Sequence, residues 1–497
     1  MKICFHSLWV VLSLLFIGCS VSPEDKAKVL DANTTLTRPN IVFILADDLG
    51  WHQLGCYGSE YYETPVLDQM AREGLRFTDA YAAQAVCSPT RASIMTGKYP
   101  ARLHLTNFLN GGDVPKSQPL PWTGGEIKFP KPQEEIIGEI VIPATANRLK
   151  LEEITIAEQL KMAGYVTGHF GKWHLNYNKI YQPGRPGDPG SQGFDEVLTT
   201  HKVGAGPVST FENDPLHVRQ ITEHALSFIE AHQDEPFFAY VTHNSIHRPE
   251  EADTEVIDRF SKKQGAKAGA SEEDRYDHNN PKQAAMLLEV DTSIGKIFDK
   301  LKELDLDKNT LVIFVSDNGH LGVKDGFPLR GSKADLYEGG IRVPMIVRWP
   351  GRVEEGSVSA EPVITTDFFP TLNEIVQAGK LPENVDGLSL VPILKNSDAR
   401  LGREALYFHF PHDHSSGLGP MSVVREGLYK LVEFSERLVS GKPGAYELYD
   451  LETDLAEKND LAASHPEVVQ RLTKKLQQWR VDIGAQEVRR NENPKRK

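Results

Sequence analysis

The chain has 497 residues, 40% of them apolar and 25% charged, and a formal net charge of −14. That length exceeds one ordinary core and predicts a large domain with a smaller one, in a composition typical of soluble globular proteins. The acidic balance argues against nucleic-acid binding and against any general attraction to polyanions, so positive charge serving an anionic substrate must be concentrated locally.

The first elements in chain order read as a targeting segment. Lys2 is followed by a largely apolar run over residues 8–17, too short to span a bilayer. The run closes on Phe16-Ile17-Gly18-Cys19, which is similar to a bacterial lipobox, with Cys19 as the lipidated first residue of the mature chain. Phe16 stands where leucine is usual, and a simple cleaved signal is the alternative. The expected organisation is a lipoprotein-type signal peptide at 1–18, a polar tether at 19–37, a catalytic domain at 38–380 and a C-terminal α+β subdomain at 381–497. Such a protein is exported to the periplasm or outer membrane of a bacterium and meets the membrane only through its lipid. Of the four cysteines, Cys4 leaves with the signal, Cys19 carries lipid and Cys87 has a separate role, so no disulfide pair remains. Cys56 is expected to be a small buried residue.

Four short apolar segments then read as buried parallel strands, each followed at once by polar residues. Residues 41–45 run into Asp47-Asp48, and 166–170 into Lys172-Trp173-His174. Residues 237–241 lead through His243 to His247, and 311–316 into Asp317-Asn318-Gly319. Candidate helices at 64–73, 154–163, 216–232 and 281–304 fill the gaps. The fold class is therefore α/β, a large, mostly parallel sheet sandwiched by helices. Ligands of such sheets bind beyond the carboxyl ends of the strands, so all four polar clusters point at one place.

Between the first two strands lies Cys87-Ser88-Pro89-Thr90-Arg91, followed by Thr96-Gly97. It reads as a cysteine at the start of a short helix, with Ser88 as N-cap, Pro89 in the first turn and Gly97 as the stop. A helix N-terminus favours anions, and Arg91 adds a fixed charge. By itself the segment is equally compatible with an inert buried cysteine.

Three irregular stretches, 111–143, 177–190 and 248–280, read as surface insertions, either substrate-shaping loops or solvated decoration. Strand-like pieces at 405–410, 421–425, 429–434 and 446–450 predict a small antiparallel sheet, followed by an amphipathic helix at 466–483 and a frayed basic tail at 489–497. Asp47, Asp48, Asp317 and Asn318 offer hard oxygen donors, which suit Ca²⁺ or Mg²⁺ rather than zinc. Paired acids after one strand can be mere helix caps. Two such pairs, each at a strand end, favour a metal.

Taken together, these segments resemble the formylglycine-dependent sulfatases of the alkaline phosphatase superfamily. The C-x-P-[ST]-R-x(4)-T-G pattern is matched from Cys87 to Gly97, and Arg38-Pro39-Asn40 with Asp47-Asp48 and Ser316-Asp317-Asn318-Gly319 match the family's metal motifs. Gly171-Lys172-Trp173-His174 is similar to its Gly-Lys-x-His element, and His247 before Pro249 to its His-x-Pro element. Leu329-Arg330-Gly331-Ser332-Lys333 with Glu338-Gly339-Gly340 resembles its lysine segment.

The resemblance implies that Cys87 is oxidised by a formylglycine-generating or anaerobic sulfatase-maturing enzyme to formylglycine (3-oxoalanine), and that calcium is held by Asp47, Asp48, Asp317, Asn318 and residue 87. It further implies that Lys172, Lys333 and Arg91 hold the sulfate oxygens while a gem-diol at 87 attacks sulfur, and that the sulfated intermediate then collapses by C–O cleavage to regenerate the aldehyde. His174 is the implied base for that collapse, and His247 with Lys333 the implied acid for the leaving alcohol. Export and family together suggest a sulfated polysaccharide substrate, from algae or from glycosaminoglycans. Trp122, His201 and the cluster His409, His412 and His414 are either sugar contacts or solvated loop residues. Two rivals remain: a phosphonate monoester or phosphodiester hydrolase, whose metal cluster usually includes histidines missing from the Asp/Asn set here, and a non-catalytic glycan-binding protein, which predicts a missing nucleophile, metal ligand or base where none is missing.

Overall fold

A computed structural model describes residues 38–109, 132–177, 181–201, 208–266, 279–322 and 328–492. The predicted signal, the tether, Cys19 and Trp122 lie outside the described residues. Residues 38–497 form one compact unit.

In chain order the main sheet contains β1 (Asn40–Ala46), β2 (Leu75–Phe77), β3 (Val166–Gly171), β4 (Glu196–Thr199), β5 (Phe237–Thr242), β6 (Thr310–Ser316), β7 (Met345–Arg348) and β8 (Ser357–Ser359). Their spatial order is β8-β2-β7-β6-β1-β5-β3-β4. Strands β6, β1, β5, β3 and β4 are mutually parallel, and β7 runs antiparallel to both β6 and β2. The four apolar segments read from sequence are the four adjacent strands β6, β1, β5 and β3, and every residue of β1, β5 and β6 is buried. Continuous apolar strands of this kind need cover on both faces.

Alternation along β1 assigns the two layers. Ile41, Phe43 and Leu45 pack with α2 (Cys87–Thr96), α3 (Ile156–Met162) and α6 (Phe368–Val376). Val42, Ile44 and Ala46 pack with α1 (Pro65–Arg72), α4 (Val218–Ala231) and α5 (Pro281–Glu303). Each fully buried large side chain, such as Phe43 or Phe238, contributes about 1.5–3 kcal/mol. A third core joins the antiparallel meander β9 (Leu406–Phe410), β10 (Met421–Glu426), β11 (Tyr429–Phe434) and β12 (Tyr446–Asp450) to α7 (Pro466–Ile483).

Four expectations need correction. The Cys87 helix starts two residues earlier than its capping pattern suggests, with Val86 as N-cap and no side-chain cap. Ser88 Oγ instead accepts the Leu109 N–H at 3.1 Å, because the whole helix is buried and its polar groups serve neighbours. Gly97 ends it as expected, at φ 68°. Cys56 is half-buried rather than buried, and burial and the nearby Asp68 carboxylate push its thiol up to about 12. The tail is not frayed throughout, since Arg489–Arg490 pairs antiparallel with Ile140 and Val141. The insertion at 248–280 contains a helix, Thr254–Ser261, capped by Asp253.

Candidate active site

The strand ends converge because the sheet's backbone pairing continues past them. Asp47 N–H donates to Ser245 O (2.9 Å), His243 N–H to Leu45 O (3.0 Å), Asp317 N–H to Ala46 O (3.1 Å) and Lys172 N–H to Thr242 O (2.9 Å). Gly171 makes the last junction possible: it sits at φ 120°, and a Cβ there would lie 1.8 Å from Thr242 O. Ala334 N–H donates to Ala85 O (2.8 Å), which brings Lys333 beside the start of α2. One cavity of about 340 Å³ is lined by Asp47, Cys87, Lys172, His174, His247 and Lys333, among others.

Cys87 is 1% exposed, and its Sγ lies 3.2 Å from His174 Nδ1. His174 Nε2 lies 2.9 Å from Leu109 O. A carbonyl only accepts, so Nε2 carries the proton and Nδ1 is the open acceptor facing residue 87. Burial and then Lys172 push the His174 imidazole well below its ordinary value, so the ring is neutral and its Nδ1 lone pair is open toward residue 87.

His247 is built the opposite way round. Its Nδ1 donates to Arg248 O at 2.6 Å, and its Nε2 lies 3.8 Å from Asp48 Oδ2. Burial, followed by Lys333, pushes His247 down to about 4. Lys333 donates to both Asp48 oxygens at 2.7 and 2.9 Å; burial lowers its value, but Asp48 more than offsets this and holds it up. Of the two groups expected to serve the leaving alcohol, Lys333 therefore carries a proton and His247 offers a lone pair.

Asp47, Asp48, Asp317 and Asn318 are all buried. Lys172 Nζ lies 2.6 Å from Asp47 Oδ2, and Asn318 Nδ2 donates to Asp48 Oδ1 at 2.8 Å. Ligand atoms of Asp47, Cys87 and Asp317 lie within 4.8 Å of one another. Asp47 Oδ1 and Asn318 Oδ1 are buried oxygens without a hydrogen-bond donor, which is costly unless something positive meets them. Burial, and then the Asp47 charge, pushes the Asp317 carboxyl well up. An oxygen-rich cluster with orphaned acceptors and crowded acids fits a hard divalent cation.

Arg91 departs from its expected role. Its side chain is fully buried, with Nε and Nη2 on Asp317 Oδ2 at 2.9 and 2.8 Å and Nη1 donating to Lys172 O at 2.6 Å. It lies behind the cavity wall and holds a candidate metal ligand rather than facing substrate. Of the C-terminal histidines, only His414 lines the cavity. His409 is bonded to Ser422 Oγ and Gln486 O, and His412 to Thr106 Oγ1, both buried. His201 also lines the cavity, as do Tyr181 and Asp188 from the second insertion.

Sequence reasoning missed Thr199-Thr200, Asn244 and Phe108 on the cavity wall. The first pair lies at the end of β4, a strand too short and polar to be read, though the strand-end rule would have found it. Asn244 adjoins His243 but has no distinguishing pattern.

Residues 39–378 match the Sulfatase family model, and residues 332–482 match that of the N-sulphoglucosamine sulphohydrolase C-terminal region. The chain belongs to the sulfatase family, with its alkaline phosphatase-like fold, and is a sulfuric ester hydrolase. It is 30% identical to human arylsulfatase A, over 95% of each chain. It is 27% identical to an N-acetylgalactosamine-6-O-sulfatase of Bacteroides thetaiotaomicron, over 93% of this chain and 96% of that protein. The solved structure of Ps i-CgsB in complex with k-i-k-neocarrahexaose superposes with a TM-score of 0.68 at 25% identity, covering 89% of this chain and 92% of that one.

Proposed function

We propose that this sulfatase removes sulfate from a sulfated polysaccharide or its oligosaccharides, using formylglycine derived from Cys87 and a bound calcium ion. The observation that carries the reading is the buried Cys87–His174 pair set against the Asp47–Asp317 oxygen cluster. Relatives and neighbours named for sulfated sugars or bound to a carbohydrate support the substrate class. Formylglycine, as its hydrate, would supply a hydroxyl nucleophile together with a second hydroxyl on the same carbon, which serine lacks. Asp47, Asp48, Asp317 and Asn318 would hold the cation, which supplies charge stabilisation for the sulfate oxygens.

The chain's own groups do the rest. Lys172 and Lys333 place two ammonium groups on the cavity wall, where negative charge on a sulfuryl group is to be held. His174 Nδ1 takes a proton from the group at position 87. Lys333 hands a proton to the departing alcohol while His247 Nε2 orients it. Export, lipidation at Cys19 and placement in the periplasm or outer membrane belong to the same proposal, because extracellular glycans must be met outside the cytoplasm.

The test is peptide mass spectrometry across residue 87 from protein made with a maturation enzyme, followed by assays on sulfated oligosaccharides with Cys87→Ala alongside. The expected result is the aldehyde or its hydrate, and turnover lost in the folded variant. An unmodified Cys87 in active enzyme, or an active Cys87→Ala, would overturn the mechanism.

A further inference from the structure

Gln283, on the first turn of α5, lies in none of the motifs that form the site. It is 2% exposed, and its amide joins the loops that follow three different strands. Gln283 Oε1 accepts from His320 Nε2 at 2.9 Å, from Gln53 Nε2 at 3.4 Å and from Tyr62 Oη at 3.4 Å. Its Nε2 donates to Glu250 Oε1 at 3.4 Å. Three donors on the oxygen side and a carboxylate on the nitrogen side fix the amide's orientation.

Three of the four partners belong to loops that carry the site. Gln53 Oε1 accepts the Gly50 N–H at 2.7 Å, two residues beyond Asp48. His320 follows Asp317-Asn318-Gly319 directly, and its carbonyl accepts the Lys333 N–H at 2.8 Å. Glu250 lies three residues beyond His247. One uncharged side chain thus ties together the segments that carry Asp48, Asn318, Lys333 and His247.

We infer that Gln283 is a positioning residue for the reaction, holding the metal-ligand loops and the His247 loop in register through one amide. The inference rests on the calcium reading above. Gln283 is not among the residues that line the cavity, so its removal acts through geometry. Outer-shell partners of metal ligands commonly change affinity or activity by 10–100-fold.

The variant is Gln283→Met, nearly isosteric and unable to make any of the four hydrogen bonds. Asp291→Asn is the comparison, because it sits on the same helix and weakens only the bonds from Val66 N–H and Leu67 N–H. In matured protein, Gln283→Met is expected to lower kcat about tenfold with KM within about twofold, and to raise the calcium midpoint of thermal stabilisation about fivefold or more. Asp291→Asn is expected to lose thermal stability with kcat and the calcium midpoint unchanged. Gln283→Met behaving like Asp291→Asn would overturn the inference. A wild type whose stability ignores calcium would refute the metal reading instead, and the kcat–KM split of Gln283→Met then decides alone.

Discussion

Replacing Arg91 by methionine tests how the acidic cluster is balanced. Arg91 places three nitrogens against Asp317 Oδ2 and Lys172 O within 2.9 Å, with no exposure. Methionine fills much of the same volume but leaves the buried Asp317 carboxyl and the Lys172 carbonyl without their donors. Removing one partner of a buried pair costs about 3–5 kcal/mol. Unfolding entropy of roughly 2.1 cal/mol/K per residue, over residues 38–497, gives roughly 1 kcal/mol per degree. The expected drop in Tm is therefore about 3–5 °C at pH 7 in chelator. Saturating calcium returns positive charge to the same oxygens, so the drop should shrink. Scanning calorimetry of both proteins, with chelator and with calcium, reads the difference. An equal loss in both buffers, or none in chelator, would refute the reasoning.

Two further predictions follow from the same geometry. His174→Gln keeps a donor for Leu109 O but removes the Nδ1 base, so kcat on an aryl sulfate should fall about 10²–10⁴-fold with the fold retained; a loss under tenfold would remove His174 from proton transfer. Burial pushes His409 down to about 4 and His412 to about 3. Between pH 6.5 and about 4 the unfolded chain takes up protons that these rings refuse, so their contribution is complete above pH 6.5 and lost as pH falls. Each costs about 1.4 kcal/mol per pH unit, or roughly 2–3 kcal/mol together at pH 5.5. Urea unfolding at pH 7.5 and 5.5 measures this, and stability that is flat or rising toward pH 5.5 would contradict it.

Most of the site was legible because chemistry follows the central strands. Asp47 and Asp317 stand just beyond uninterrupted apolar runs, Lys172 and His247 follow two more strands, and a parallel sheet carries such residues to one edge. The short strands escaped notice for a physical reason. Leu75–Phe77 and Ser357–Ser359 are three residues each and are held by their neighbours rather than by local pattern. Ser88 illustrates a different failure. Capping preferences assume a helix end in water, whereas this helix starts inside the protein, where Leu109 N–H competes for the hydroxyl. Arg91 reads as a substrate-facing charge in one dimension, and only packing reveals that its guanidinium is taken up by Asp317. The His409 cluster separates in the same way: alternation along β9 and the turn after it send two rings inward and one toward the cavity.

All ten residues of the Cys87 helix are buried, and Leu109 closes over its first turn. Among the described residues, residue 87 opens only onto the cavity of about 340 Å³, which is too small to admit another enzyme's active site. The proposed oxidation at position 87 must therefore run ahead of the closing of the fold, while the segment is still an extended strand of nascent chain. Order of events then becomes part of the catalyst's construction. A molecule that folds first is sealed with an ordinary thiol, stable and well packed, and no later exposure to the maturation enzyme should awaken it.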